Sequence, residues 1–261
     1  YAEDWLGRAK SALKLASYEE NPDAARILCY TNRSLERLVP HARRAIHGEM
    51  ADQMPVLPGE VLITRMAVMA PASSEVSQSE EEPDMVLGSN REVVVLDVKT
   101  EKFNLDEFSN IINCDEKLPI INTMIANVKT GELEVSLRLL PPVGSDSRKL
   151  LDLTLQKLRD KAKASSKLEA RYIWKNFFLI RDSFASVGPA SVLTVHRSQG
   201  STFGEVFISS DVFWPKDELL RRQLVYVAVS RASNEVCFLA DTKKLGDHYK
   251  WHEHFLPKEE T

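Results

Sequence analysis

A buried strand that ends in His-Arg-Ser-Gln-Gly constrains this chain more than any other feature. Residues Ala190–Val195 read as a short apolar strand. The chain then stays largely polar for most of a dozen residues before a second apolar run, Glu205–Ile208. Polar groups gathered at the end of a buried strand are where an α/β protein places its ligand. The same grammar appears near the start of the chain. Arg26–Tyr30 reads as a buried strand, Thr31-Asn32 follows it, and Arg33–Gly48 has the pattern of a helix that stops at its glycine. Strand, polar turn and helix form the unit of an α/β domain.

Between these two stretches the texture changes. From Val56 to Pro141 the chain carries runs rich in Val, Ile and Thr, with a hairpin signal at Lys129-Thr130-Gly131-Glu132 and no long helical segment. These runs predict a small antiparallel barrel or sandwich. Inside it, residues 71–90 hold five acidic side chains and no Lys or Arg. That composition predicts a loop that rejects nucleic acid. Residues 147–184 are helical by pattern. Residues 141–200 hold eleven Lys/Arg against five Asp/Glu, so the helical segment is either a solvated helix pair or a surface that faces a polyanion. The aromatic residues Tyr172, Trp174, Phe177 and Phe178 are expected to pack the helices against the barrel. Residues 4–18 and 218–232 read as amphipathic helices and 235–241 as a strand. An α/β domain that begins, breaks and resumes is an insertion architecture.

Composition excludes several classes. With 43% hydrophobic and 28% charged residues and a formal charge of −4, the chain is an ordinary globular protein and not a uniformly basic nucleic-acid binder. No apolar run is long enough for a membrane span, so no membrane partner is expected. Cys29, Cys114 and Cys237 are scattered, which suggests neither zinc nor a disulfide framework and makes a reducing cytoplasm the default. His248, His252 and His254 cluster near the end of the chain. They are either a metal-binding group or a polar tail, and the lack of a spaced partner set favours the tail.

Three short stretches carry a resemblance. Thr194–Phe203, "TVHRSQGSTF", resembles motif V of superfamily 1 helicases; Leu224–Ala232, "LVYVAVSRA", resembles motif VI; and Ile27–Asn32, "ILCYTN", sits where motif IV belongs. With the β-rich insertion, the chain resembles the C-terminal portion of the 5′→3′ branch, superfamily 1B, the Dda- and RecD-like enzymes. The resemblance implies a RecA-like parallel-sheet domain of the P-loop NTPase type with an inserted SH3-like β-barrel. Its expected divisions are residues 1–55 and 187–261 for the RecA-like domain, 56–141 for the barrel and 142–186 for a helical connector. It implies ATP and Mg²⁺ as cofactors, single-stranded DNA as partner, and replication or repair proteins as further partners.

The residue types fit that chemistry. Charge develops on the γ-phosphate during ATP hydrolysis, and an always-charged planar guanidinium suits an arginine finger. Arg231, closing an apolar helix, is the candidate catalytic residue; the bland alternative is a helix-end arginine in a surface salt bridge. Gln199 and Gly200 join Arg231 as candidate ATP contacts, because glycine lets the backbone approach a phosphate. Thr194, His196 and Ser198 are candidate DNA-backbone contacts. Thr31 and Asn32 either contact DNA or cap the following helix.

Departures matter as much. The arginine and glutamate that the 3′→5′ branch often carries near Tyr30 and Thr202 are absent, so those contacts are not carried over. None of the ten glycines is followed by Lys, so there is no G-x-x-x-x-G-K-[ST] loop. The expectation is therefore a chain that supplies one motor half, with ATP and Mg²⁺ held mainly by a missing N-terminal RecA-like domain, and the start at Tyr1 fits an excised piece. The rival readings are a non-catalytic nucleic-acid or protein interaction module on a helicase-like fold, and a nuclease subunit. No clustered Asp/Glu/Lys metal site supports the second.

Overall fold

The computed structural model describes residues 2–15, 21–69, 85–105 and 118–239. In chain order the main elements are α1 (Ala2–Leu15), β1 (Ala25–Cys29), α2 (Asn32–His47), α3 (Met50–Gln53), β2 (Val61–Thr64), β3 (Val68–Met69), β4 (Met85–Leu87), β5 (Glu92–Asn104), β6 (Ile120–Thr130) and β7 (Leu133–Leu139). Then come α4 (Asp146–Ala164), α5 (Lys167–Asp182), β8 (Val187–Pro189), β9 (Val192–Thr194), β10 (Phe203–Ile208), α6 (Glu218–Val229) and β11 (Ala232–Phe238). The chain is α/β and divides into two compact units, Tyr1–Gln53 with Ala190–Thr261, and Met54–Pro189.

The first unit is built on a four-stranded sheet in the order β11-β10-β1-β9, with every pairing parallel. All five residues of β1 are buried, as expected for a strand covered on both faces. Helix α1 buries Trp5, Ala9 and Leu13, spaced four apart on one face. The Trp5 indole donates to the Cys237 carbonyl at 3.1 Å and meets Phe207 edge-on. Helix α2 starts at its N-cap Thr31 and stops at Gly48, whose φ of 65° lies in the left-handed region glycine tolerates. Gly204 serves another purpose. A Cβ there would lie 2.6 Å from the Ala24 carbonyl oxygen, so only glycine lets β10 pass the entry to β1.

The second unit holds a five-stranded sheet in the order β7-β6-β5-β2-β8, with antiparallel pairings, and a separate β3-β4 pair. Strand β5 slips register between Val95 and Asp97, a bulge that leaves Leu96 unpaired and exposed. The bulge resets the alternation. Val93, Val95 and Val98 serve one core with Ala126, Val128 and Leu137. Phe103 and Leu105, further along, serve a second core with Leu151 and Leu158 of α4 and Ile180 of α5. The expected hairpin turn is present, with Gly131 at φ 58°. Ala185, two residues before β8, bridges Leu139 at the end of β7, so the two edges of the sheet are tied as in a small barrel.

The insertion is larger than the sequence expectation of 56–141. Strand β8 pairs with β2, and α4 and α5 share a core with β5 and β6, so the helices and residues up to 189 belong to the inserted unit. The helical stretch breaks at Ser165-Ser166, where Ser166 and Glu169 form a capping box that opens α5. The stretch 71–90, expected as a loop, contains strand β4. Residues 71–84 lie outside the described residues, as do Cys114 and the histidines 248, 252 and 254. The aromatic run does not pack as a block. Phe177 joins the second core, whereas Tyr172 and Phe178 are exposed.

Candidate functional site

Parallel pairing brings the sequence-derived site residues together in the first unit. Cys29 lies opposite Thr194 in the β1–β9 pair, while Ala25 lies opposite Glu205 in the β1–β10 pair. Residues 195–202 therefore leave β9 at the carboxyl end of β1 and enter β10 at its amino end. One short connector spans the depth of the sheet, and its two ends have different neighbours.

At the carboxyl end, His196 is exposed and its ring lies 6.1 Å from that of Tyr30. Asn32 is exposed in the first turn of α2, and Thr31 caps that helix by accepting from the Ser34 amide at 3.2 Å. The organising group is one the sequence reading missed. Asp211, 0% exposed after β10, accepts from the amides of Tyr30 at 3.1 Å and Thr31 at 2.9 Å, and from the Thr31 hydroxyl at 2.9 Å. A buried carboxylate satisfied by three donors at a helix N-terminus is stable there. It fixes the turn that follows β1. Cys29 sits beneath it. Burial, and secondarily the Asp211 charge, push its thiol up to about 12, so it stays neutral and donates to the Leu193 carbonyl.

The connector itself is a run of turns. The Thr194 carbonyl accepts from the amides of Arg197 and Ser198. Ser198 is 0% exposed and its hydroxyl donates to the Val195 carbonyl at 2.8 Å, and Thr194 is buried in β9. The Ser198 hydroxyl and the Thr194 carbonyl thus shape the connector from within, and both residues are buried rather than presented at the surface as the sequence reading expected. Gln199 and Gly200 are exposed. Gly200 has φ 88° and nothing within 4 Å of where a Cβ would stand, so backbone conformation rather than crowding requires glycine.

At the amino end stands Arg231, between α6 and β11. Its Nη1 donates to the Ser201 carbonyl at 3.0 Å, its Nε to the Val227 carbonyl at 3.2 Å and its Nη2 to the Ser230 hydroxyl at 3.1 Å. Its carbonyl accepts from the Phe203 amide at 2.7 Å. Every acceptor is neutral, and no described carboxylate pairs with it, so the guanidinium is positioned without being neutralised. Asp217 caps α6, accepting from Leu219 and Leu220 amides. Among the described residues, no group of three or more His, Cys, Asp or Glu could hold a metal, and no helix is long and apolar enough to cross a membrane.

Comparison with known proteins gives one family match and a set of distant solved structures, two Pif1 helicases among them. No curated protein sequence matches the chain. Among solved structures, the Pif1 helicase from Bacteroides in complex with ADP-AlF3 and ssDNA is 10% identical, with a TM-score of 0.37 over 97% of this chain and 54% of that one. The Pif1 helicase from Candida albicans is 12% identical, with a TM-score of 0.35 over 96% of this chain and 57% of that one. The chain thus spans a little over half the length of these structures. Residues 189–239 match the UvrD-like helicase C-terminal domain, a span that contains β9, the connector, β10, α6, Arg231 and β11. In that segment, which carries the connector and the positioned arginine, the chain is similar to a UvrD-like helicase C-terminal domain.

Proposed function

We propose that the chain is the C-terminal motor half of an ATP-dependent DNA helicase of the 5′→3′ branch. In this reading the first unit is its second RecA-like domain and Met54–Pro189 an SH3-like insertion with a helical hairpin. The observation that carries the reading is the connector 195–202. It runs from a polar group at one end of the sheet, Thr31, Asn32 and His196, to a positioned and un-neutralised arginine at the other. A single rigid segment with a strand-contacting end and a phosphate-contacting end is what a translocating motor needs to couple its two ligands.

The residues divide by role. His196 and Asn32 present polar groups for a DNA backbone, which positions a strand without reading sequence. Thr31 and Asp211 hold Asn32 in place, and Thr194 and Ser198 hold the connector. Gln199 and the backbone at Gly200 face nucleotide phosphates, and Arg231 stabilises charge as it develops there. The residues present fit part of the nucleotide site only. They offer a cation and a phosphate-compatible backbone but neither a P-loop lysine nor a carboxylate pair for Mg²⁺. ATP and Mg²⁺ would be held mainly by another domain, and the exposed Leu219, Tyr226 and Val229 of α6 offer apolar surface for it.

The test is direct. The purified chain, given Mg²⁺-ATP and single-stranded DNA, is expected to release phosphate at the background rate. Joined to a P-loop domain it is expected to show DNA-stimulated turnover. Stimulated turnover by the chain alone would overturn the division of labour between two domains.

A further inference from the structure

Helix α5 has two faces with separate uses. Ile173, Phe177 and Ile180 build the core beneath it. A second stripe, spaced four, three, four and three residues apart, reads Lys167, Arg171, Trp174, Phe178 and Arg181. That spacing keeps all five on one side of the helix. Along roughly 21 Å of axis, two cations lead to two aromatic rings and a third cation.

The stripe is ordered and open. The Trp174 and Phe178 rings stack with centroids 5.9 Å apart at 27°, and Arg181 lies 4.7 Å over Phe178 while its Nε is held by Asp182 at 2.6 Å. Phe178 is 43% exposed, and Trp174 beside it is half-buried. Lys167 and Arg171 are exposed, and no described carboxylate pairs with either. Charge alone would suit any polyanion. Flat rings beside unpaired cations suit an unpaired nucleic-acid strand, whose bases offer π-faces and whose phosphates repeat along it. A duplex hides its base faces, and an acidic peptide has few rings to stack.

We propose that this stripe of α5 is a second nucleic-acid surface, which takes a single strand with bases on Trp174 and Phe178 and phosphates on Lys167 and Arg171. The surface lies in the inserted unit and uses none of the groups of the connector, so it stands or falls independently of the function proposed above.

The experiment measures binding of the whole chain to fluorescein-labelled oligo(dT) by anisotropy across a salt series, with circular dichroism to verify folding. Lys167→Ala/Arg171→Ala is expected to weaken binding roughly tenfold or more and to make the log–log salt slope shallower by about 1.4, the share of two phosphates on a single strand. Phe178→Leu, which keeps apolar bulk, is expected to weaken it roughly fivefold or more through lost stacking. His196→Ala/Asn32→Ala reports on the connector separately. Unchanged binding in both stripe variants would overturn the proposal while leaving the connector reading intact. Displacement of oligo(dT) by polyglutamate at equal charge concentration would overturn it in favour of an acidic protein partner, and equal affinity for blunt duplex would remove the stacking role.

Discussion

In a protein that joins this chain to a P-loop domain, Arg231→Ala is expected to leave ATP binding nearly intact and to cut turnover roughly 10³-fold or more, the scale of an arginine finger. The geometry explains both halves. The guanidinium is aimed by three neutral acceptors, Ser201 O, Val227 O and Ser230 Oγ, so its charge is free to act on a phosphate. Hydrolysis moves charge onto that phosphate only at the barrier, which is why turnover suffers and ground-state binding does not. Arg231→Lys keeps a charge but loses the planar fork, and turnover is expected to stay far below wild type. Steady-state phosphate release, with nucleotide binding measured separately, decides the matter. A variant that loses thermal stability but turns over within a few-fold of wild type would make Arg231 a strut between Ser201 and Val227.

The second large effect is on folding. Asp211→Ala is expected to cost about 3 kcal/mol, because it removes a buried charged acceptor from three donors and leaves the part-buried Tyr30 and Thr31 amides without their partner. Asp211→Asn, of equal size, should lose less, since its amide oxygen can still accept. Urea unfolding of the chain measures both, with the midpoint falling at unchanged slope. A loss below about 0.5 kcal/mol for Asp211→Ala would mean that water replaces the carboxylate, and that the turn after β1 is not fixed from β10.

How much of this could be read from the residues follows from physics. Strands β1 and β9 announce themselves because a parallel strand buried on both faces is mainly apolar, as Ile27–Cys29 and Val192-Leu193 are, and α2 because Thr31 and Gly48 mark its ends. Arg231 is legible because an arginine that closes an apolar helix is conspicuous. Strand β8 is not legible. Val187-Gly188-Pro189 has no alternation to detect, and only tertiary pairing with β2 makes it a strand. That is why the insertion extends past its expected end. Asp211 is equally silent, since a lone acid after a strand has no local pattern and its donors lie 180 residues away or more. Ser198 shows the reverse error. A serine in a polar run reads as a surface group, yet the connector folds back over it. The stripe on α5 was visible as a row of aromatics, and the periodicity that separates Phe177 from Trp174 and Phe178 could have divided it.

The most direct test of the account is unwinding by the two-domain protein, assayed on duplexes that carry either a 5′ or a 3′ single-stranded tail. The 5′-tailed duplex is expected to undergo ATP-dependent strand separation, lost in Arg231→Ala and absent without ATP. Preference for the 3′ tail would contradict the 5′→3′ assignment. Strand separation of either duplex that persists without ATP or survives Arg231→Ala unchanged would contradict the motor itself.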